Sequence, residues 1–240
     1  MIKNIIITGA STGIGAITAE MFAQKGASVI MLARSEHKLK EIKNKILDSG
    51  GKADYYVVDL RNQQQIEEAV ESIKKEHGTP DAIFNVAGAW HNQDAVYAGV
   101  PLHLTPIEQI NEVFEVSLMG GLILTKLFLP EMVERKQGKI VFLSGTFSNG
   151  GAGWIHYYVS KLGVENLTKG LADELRLYNI QVNCICPSDT KTKALEQFFP
   201  DDAATALDPQ EIAKLCDFLT SENADNITGQ IIVIKNKDVY

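Results

Sequence analysis

The 240-residue sequence predicts an α/β domain in which a parallel sheet is covered by helices on both faces. Two observations carry this. Short, nearly continuous apolar runs recur at Ile2 to Thr8, Ser28 to Ala33, Ala53 to Val58, Asp81 to Asn85, Lys139 to Ser144, Ile180 to Cys186 and Gln230 to Ile234. Between most of them lie helical patterns, such as Gly15 to Gln24, Glu36 to Leu47 and Gln64 to Glu76. Strands buried on both faces read as unbroken apolar stretches, and parallel strands need a crossover long enough for a helix. An apolar composition of 45% supplies a substantial core, and with no repeat, low-complexity tract or linker the whole of 1–240 is expected to be one domain.

The elements follow in chain order. The first run holds Ile5-Ile6-Ile7 and is followed at once by Gly9, Gly13 and Gly15, which open the first helical pattern. After the fourth run, the chain from Gly88 to Pro101 has no regular period. Thr105-Pro106-Ile107-Glu108 then reads as a helix start, with Thr as cap, Pro in the first turn and Glu completing a capping box. That helix places Ile110, Val113, Phe114 and Ser117 along one face, so Ser117 should point inward. A further helical pattern runs from Tyr157 to Tyr178, and Asp208-Pro209-Gln210-Glu211 starts another after an irregular stretch from Pro187 to Leu207. Both irregular stretches follow strands. They should therefore lie at the carboxyl edge of the sheet, where open α/β folds bind ligands.

Composition excludes several classes. A formal charge of −7, with basic residues scattered, argues against nucleic acid as a partner. No apolar run reads as membrane-spanning, and the first strand begins at Ile2, which predicts no leader. Three cysteines give no disulfide framework: Cys184 and Cys186 should share a strand face, and Cys216 lies in a helical pattern. A reduced, cytoplasmic protein is expected. His37, His77 and His156 show no metal-ligand spacing, His91 and His103 read as loop residues, and no metal is expected.

Three motifs carry chemistry. The Thr8-Gly9-Ala10-Ser11-Thr12-Gly13-Ile14-Gly15 turn joins a strand to a helix start. Glycine permits the tight turn and close backbone approach to a pyrophosphate, and the helix N-terminus offers free N–H groups to its charge. Asn85-Val86-Ala87-Gly88 follows the fourth strand. Tyr157 and Lys161 stand four apart in a helical pattern and share a face. A tyrosine is a weak acid, with an ordinary pKa of about 10, and a nearby ammonium favours its phenolate.

In the Gly-x-x-x-Gly-x-Gly spacing and the Tyr-x-x-x-Lys pair, the chain resembles the classical short-chain dehydrogenase/reductase family over essentially its whole length. The resemblance implies a Rossmann-type doubly wound sheet and a homodimer or homotetramer. It also implies hydride transfer between a nicotinamide dinucleotide and a small carbonyl or alcohol substrate. By that likeness Tyr157 is the acid/base, while Lys161 binds the nicotinamide ribose and lowers the tyrosine pKa. Gly9, Ser11, Thr12, Gly13, Ile14 and Gly15 cradle the pyrophosphate, Asp59 and Leu60 meet the adenine, and Asn85, Ala87, Gly88, Pro187 and Thr192 complete the cofactor site. Ala33 stands where members preferring NAD carry Asp, whereas Arg34, with Ser35 nearby, can offer donors to a 2′-phosphate. NADP(H) is thereby favoured over NAD(H).

The substrate-orienting serine is read as Ser144, thirteen residues before Tyr157. Anchoring on Ile140 instead puts Gly145 in that place, with Thr146 and Ser148 as substitutes. Departures from the family pattern are Val86 for the second Asn, Ser117 for the Asn of a proton relay, Ser188 for Gly, and Lys235-Asn236-Lys237 at the end. Trp90, Phe147, Trp154, Phe198 and Phe199 fall near the expected mouth and suggest a partly apolar substrate. Two alternatives stand beside the reductase: a dinucleotide-binding sensor that has lost efficient chemistry, and an NAD-dependent dehydrogenase.

Overall fold

A computed structural model describes residues 3–147 and 150–237. Its strands are β1 (Asn4–Thr8), β2 (Ser28–Ala33), β3 (Lys52–Val57), β4 (Ala82–Asn85), β5 (Gly138–Leu143), β6 (Ile180–Pro187) and β7 (Ile231–Ile234). They form one sheet in the order β3-β2-β1-β4-β5-β6-β7, every pair parallel. The order reverses between β1 and β4, which opens a crevice at their carboxyl ends. The helices are α1 (Gly13–Gln24), α2 (Glu36–Asp48), α3 (Gln63–His77), α4 (Ile107–Phe114), α5 (Gly120–Arg135), α6 (Ile155–Leu175), α7 (Lys193–Phe198), α8 (Pro200–Ala203) and α9 (Pro209–Thr220).

Alternation along β1 divides the core in two. Ile5 and Ile7 face α1, α2 and α9 through Phe22, Leu39 and Ile212, all buried. Ile6 faces the other way, toward α3, α5 and α6 through Ile66, Phe128 and Val164. Both faces of the sheet are therefore covered, which is why its central strands carry apolar runs that do not alternate, such as Ile5-Ile6-Ile7 and Ile140 to Leu143.

Several local expectations are corrected. Pro106, at φ −58° and ψ 137°, is itself the residue before α4. Thr105 does not cap; its hydroxyl donates to Pro101 O at 3.2 Å. The Asp208 cap does form, accepting from Gln210 N at 2.9 Å, with Pro209 in the first turn. The stretch from Pro187 to Leu207 is not wholly irregular, because α7 and α8 lie within it.

A π-helical segment, Glu115–Met119, joins α4 to α5 into one continuous helix. By length and composition this helix, Ile107–Arg135, could cross a membrane, contrary to the expectation that no segment would. The reading missed it because charges at Glu108, Glu112 and Glu115 break up its first turns. Here it packs in the core through Val113, Leu124, Phe128 and Met132, each fully buried. Ser117 sits in the π segment and points inward, 7% exposed.

Candidate active site

Gly9 and Gly13 adopt φ of +67° and +53°, a region that side-chain-bearing residues rarely occupy. A Cβ on Gly15 would lie 2.4 Å from Gly9 O, so the turn folds back against its own backbone. Thr12 precedes α1 without a side-chain cap bond, leaving the first-turn N–H groups facing the crevice. Ser11 and Thr12 complete this turn. A closely approached backbone with uncapped donors fits a dinucleotide pyrophosphate.

The neighbouring strand is fastened to the turn by Thr8. Its hydroxyl accepts from Val86 N at 3.1 Å and from Ala87 N at 3.2 Å. Asn85 donates from Nδ2 to Thr125 Oγ1 at 3.0 Å and is buried. At Gly88 a Cβ would meet Lys161 Nζ at 3.2 Å and Ser117 Oγ at 3.7 Å. The Ser117 hydroxyl accepts from Ala89 N at 3.1 Å. It thus pins the backbone beside Lys161, and makes no hydrogen bond to the ammonium itself.

A cavity of about 440 Å³ opens beside this turn, and its wall includes Ile14, Gly88, Tyr157, Lys161, Pro187 and Thr192. Lys161 is 2% exposed and donates to Leu143 O at 2.8 Å. Its ammonium lies 5.4 Å from the Tyr157 ring centroid. Burial pulls the Lys161 pKa down to about 8, against a smaller upward pull from Cys184 and Cys186. Burial raises the Tyr157 pKa well above the ordinary phenol value, and Asp189 adds to the rise. The expectation that Lys161 lowers the tyrosine pKa is corrected for this state of the protein. The ammonium is committed to a carbonyl and faces the ring, so lost hydration decides the outcome.

Ser144 also lines the cavity, but its hydroxyl turns away from the open space. It donates to Glu165 Oε1 at 2.8 Å, with Lys161 O at 3.3 Å. Gly145 and Thr146 continue the same wall, and Thr146 Oγ1 reaches only Pro187 O, at 3.5 Å. Ser148 lies outside the described residues.

At the far end of the crevice Arg34 Nη1 is 3.4 Å from Glu112 Oε1, and Arg61 Nη1 is 3.7 Å from the same atom. Arg61 also pairs with Asp59 at 2.5 Å, and these charges hold the Asp59 pKa below its usual range despite partial burial. Leu60 is buried and packs against Gly120. The Ser35 hydroxyl is 3.0 Å from His37 Nδ1. Thr192 caps α7 by accepting from Leu195 N at 3.3 Å and presses its methyl toward Gly13.

Sequence reasoning missed Glu112, which binds both arginines and accepts from the Tyr97 hydroxyl at 2.8 Å. Its partners lie fifteen to seventy-eight residues away, so no local spacing could have marked it. It also missed the grouping of Asp54, Glu76 and His77, whose possible ligand atoms lie within 4.8 Å of one another. Lys43 already pairs with Asp54 there at 2.8 Å, and the group stands outside the cavity.

This site and fold define a nicotinamide-type oxidoreductase architecture. Residues 3–203 match the short chain dehydrogenase family model, and the chain belongs to that family. It is 33% identical to the 3-oxoacyl-[acyl-carrier-protein] reductase FabG of Thermotoga maritima, over 97% of this chain and 96% of that protein. It is 30% identical to 5-keto-D-gluconate 5-reductase of Escherichia coli, over 97% and 93%. Among solved structures it is similar to a metagenomic short-chain oxidoreductase in complex with NADP (TM-score 0.82, 26% identity, 98% and 97% covered). It is also similar to a 3-ketoacyl-(acyl-carrier-protein) reductase of Brucella melitensis complexed with NADH (TM-score 0.87, 25% identity, 99% and 98% covered). The protein is an oxidoreductase of the short-chain family with a dinucleotide-binding fold.

Proposed function

We propose that the protein is a cytoplasmic, oligomeric NADP(H)-dependent reductase of a small carbonyl compound, or the dehydrogenase of its alcohol, with Tyr157 as acid/base. The observation that carries this reading is the buried Lys161 ammonium, 5.4 Å from the Tyr157 ring at the mouth of the uncapped glycine turn. Gly9, Gly13 and Gly15 would hold the pyrophosphate of a bound dinucleotide by backbone contact. When bound, the dinucleotide supplies or accepts the hydride. A phenol with a raised pKa stays protonated at neutral pH, so Tyr157 can donate its proton to an oxygen as alkoxide charge develops. Lys161 would hold the nicotinamide ribose of a bound dinucleotide and keep positive charge beside the phenolate left behind. Ser117 acts on that site through the backbone at Ala89.

Thr146 is the donor we assign to the substrate oxygen, because the Ser144 hydroxyl is already spent on Glu165. NADP(H) is favoured because Ala33 offers no carboxylate to a ribose 2′-hydroxyl. A 2′-phosphate would compete with Glu112 for Arg34 and Arg61. Relatives with NADP and with NADH bound are both consistent with the cradle itself.

The test is titration of the protein with NADPH and NADH, followed by a carbonyl panel read at the reduced-cofactor absorbance. Turnover that falls by about a thousandfold in Tyr157→Phe, with cofactor binding retained, is the expected result. The inward turn of Ser144 favours one second reading, a dinucleotide-binding sensor without efficient chemistry. Tight cofactor binding with no turnover of any carbonyl would support that reading instead.

A further inference from the structure

The cavity beside Tyr157 carries more than proton transfer requires. Trp90, Trp154 and Phe199 all line it, and their ring centroids form a nearly equilateral triangle of 6.5, 6.3 and 6.5 Å. Trp154 lies 5.8 Å from Tyr157, so the triangle adjoins the reacting centre. All three rings are only partly buried. Phe198 stands behind them, against Trp90 and His91, and is not part of the cavity wall.

Two carboxylates share this cavity, Asp189 and Asp202, and both residues are exposed. Among the described residues neither carboxylate has a hydrogen-bond or ion-pair partner. Asp189 is close enough to Asp202 and to enclosing protein for its pKa to be raised, first by lost hydration and then by the neighbouring charge. The cationic side chain in the wall is Lys161, which is buried and donates to Leu143 O.

The ligand's charge follows from these surroundings. An aromatic face attracts a cation through its quadrupole, and more strongly once water is excluded. A neutral hydrocarbon group would satisfy the rings but strip water from Asp189 without compensation. A keto acid would add like charge beside both carboxylates. Only a cation satisfies rings and carboxylates together.

We propose that the substrate is a ketone, or the corresponding alcohol, carrying an alkylammonium group seated on the Trp90, Trp154 and Phe199 rings with Asp189 and Asp202 as counter-charges. This rests on the reductase reading above. In the reductive direction a reduced nicotinamide dinucleotide transfers hydride to the carbonyl carbon. The C=O π pair moves to oxygen, which takes the Tyr157 phenol proton. The products are the alcohol and the oxidised dinucleotide, and solvent returns a proton to Tyr157.

The experiment uses a series of methyl ketones ending in trimethylammonium. Each has a matched isostere in which tert-butyl replaces that group, and a keto acid of equal length. Binding to the protein with NADPH is read by tryptophan fluorescence. Trp90 and Trp154 are the only tryptophans in the chain, so the signal reports on this triangle alone. Turnover is read by NADPH absorbance.

The expected result is a preference of about tenfold or more for the ammonium ketone over its isostere, falling toward unity in Asp189→Asn and in Trp90→Ala. Asp202→Asn, on the exposed rim, keeps the test available should Asp189→Asn fail to fold. Equal or tighter binding of the isostere or the keto acid overturns the proposal. So does an Asp189→Asn variant that weakens NADP+ binding while leaving the charge preference intact, since Asp189 would then serve the cofactor. Turnover of neutral ketones without charge preference removes this proposal and leaves the reductase standing. Ammonium-selective binding without turnover of any ketone does the reverse.

Discussion

The glycine turn from Gly9 to Gly15 and the cavity wall from Ser144 to Asp189 stand at one edge of one sheet, yet they are specified by different chemistry. The turn is made of backbone: positive φ at Gly9 and Gly13, a Gly15 with no room for a Cβ, and uncapped N–H groups. It carries no titratable side chain and makes no choice beyond phosphate. The wall is made of side chains whose partners come from many elements, with a buried ammonium, a half-buried tyrosine and two carboxylates that have no partner among the described residues. Its behaviour should change with pH and with single side-chain substitutions, while the turn should respond only to changes of backbone shape.

Stability against pH should expose the wall first. Lys161 has its folded pKa pulled to about 8 from 10.5, so between those pH values the unfolded chain binds more protons than the folded one. This ammonium should therefore add stability to the cofactor-free protein across the window, by on the order of 3 kcal/mol in total. The Cys184 and Cys216 thiols, whose pKa values are raised from an ordinary 9.0, take stability away above about pH 9. Tyr157 has the opposite sign: its folded pKa is raised, so above about pH 10 its contribution reverses and the rise turns over. Denaturant melts from pH 7 to 11 would check this, with Lys161→Met expected to lose the rise. A wild-type profile that runs parallel to that of Lys161→Met through pH 8 to 10 would mean that the ammonium is better solvated than its surroundings imply.

The turn should break through shape alone. In Gly15→Ala the new methyl falls 2.4 Å from Gly9 O, and backbone has to move to admit it. A displacement of that kind at the phosphate site should cost about a hundredfold in NADPH affinity. The loss should be independent of pH between 6 and 9, unlike the wall. Fluorescence titration with NADPH, with circular dichroism to confirm folding, is the measurement. Less than a threefold loss would show that the turn yields more easily than its contacts imply.

A smaller effect should separate the cofactors. Arg34 is more than half exposed and only loosely held by Glu112, so truncating it should leave the fold unchanged. Arg34→Ala should weaken NADPH by about tenfold and NADH by less than twofold, the difference being the charged contact to the 2′-phosphate. Equal losses would assign that phosphate to Arg61 or elsewhere.

The same division explains what was legible in the sequence. Continuous apolar runs such as Ile5-Ile6-Ile7 encode burial on both faces, and the sheet and its parallel pairing follow from them. The glycine turn was readable because its physics is local, within seven residues of chain. The direction of the Ser144 hydroxyl was not, because Glu165 accepts it from twenty-one residues away, on α6. Glu112 was invisible for the same reason, since its partners lie on β2's end, after β3 and in the substrate-side loop. The Thr105 cap misled because Pro106 takes an extended ψ of 137°, which postpones the helix by a residue. The long helix escaped because its membrane-like hydropathy is set by the half from Val116 to Leu129, beyond the charged first turns.

Two hydroxyls in the wall give the finest comparison, between one used by the fold and one left for chemistry. Ser144 is 3% exposed and donates to a carboxylate, which Cys186 otherwise shares only weakly at 3.4 Å. Removing it in Ser144→Ala leaves a partly buried carboxylate short of a donor and should cost about 1 kcal/mol of stability. The substrate should be little affected, with kcat within about threefold of wild type. The Thr146 hydroxyl makes only a 3.5 Å contact to Pro187 O, so Thr146→Val should leave stability within about 0.5 kcal/mol. Its kcat should fall by about tenfold at nearly constant KM, because the donated bond strengthens as charge develops on the substrate oxygen. Denaturant melts and steady-state kinetics on both variants decide between the two roles. A reversed pattern would mean that Ser144 leaves Glu165 and turns into the cavity when substrate and dinucleotide are bound.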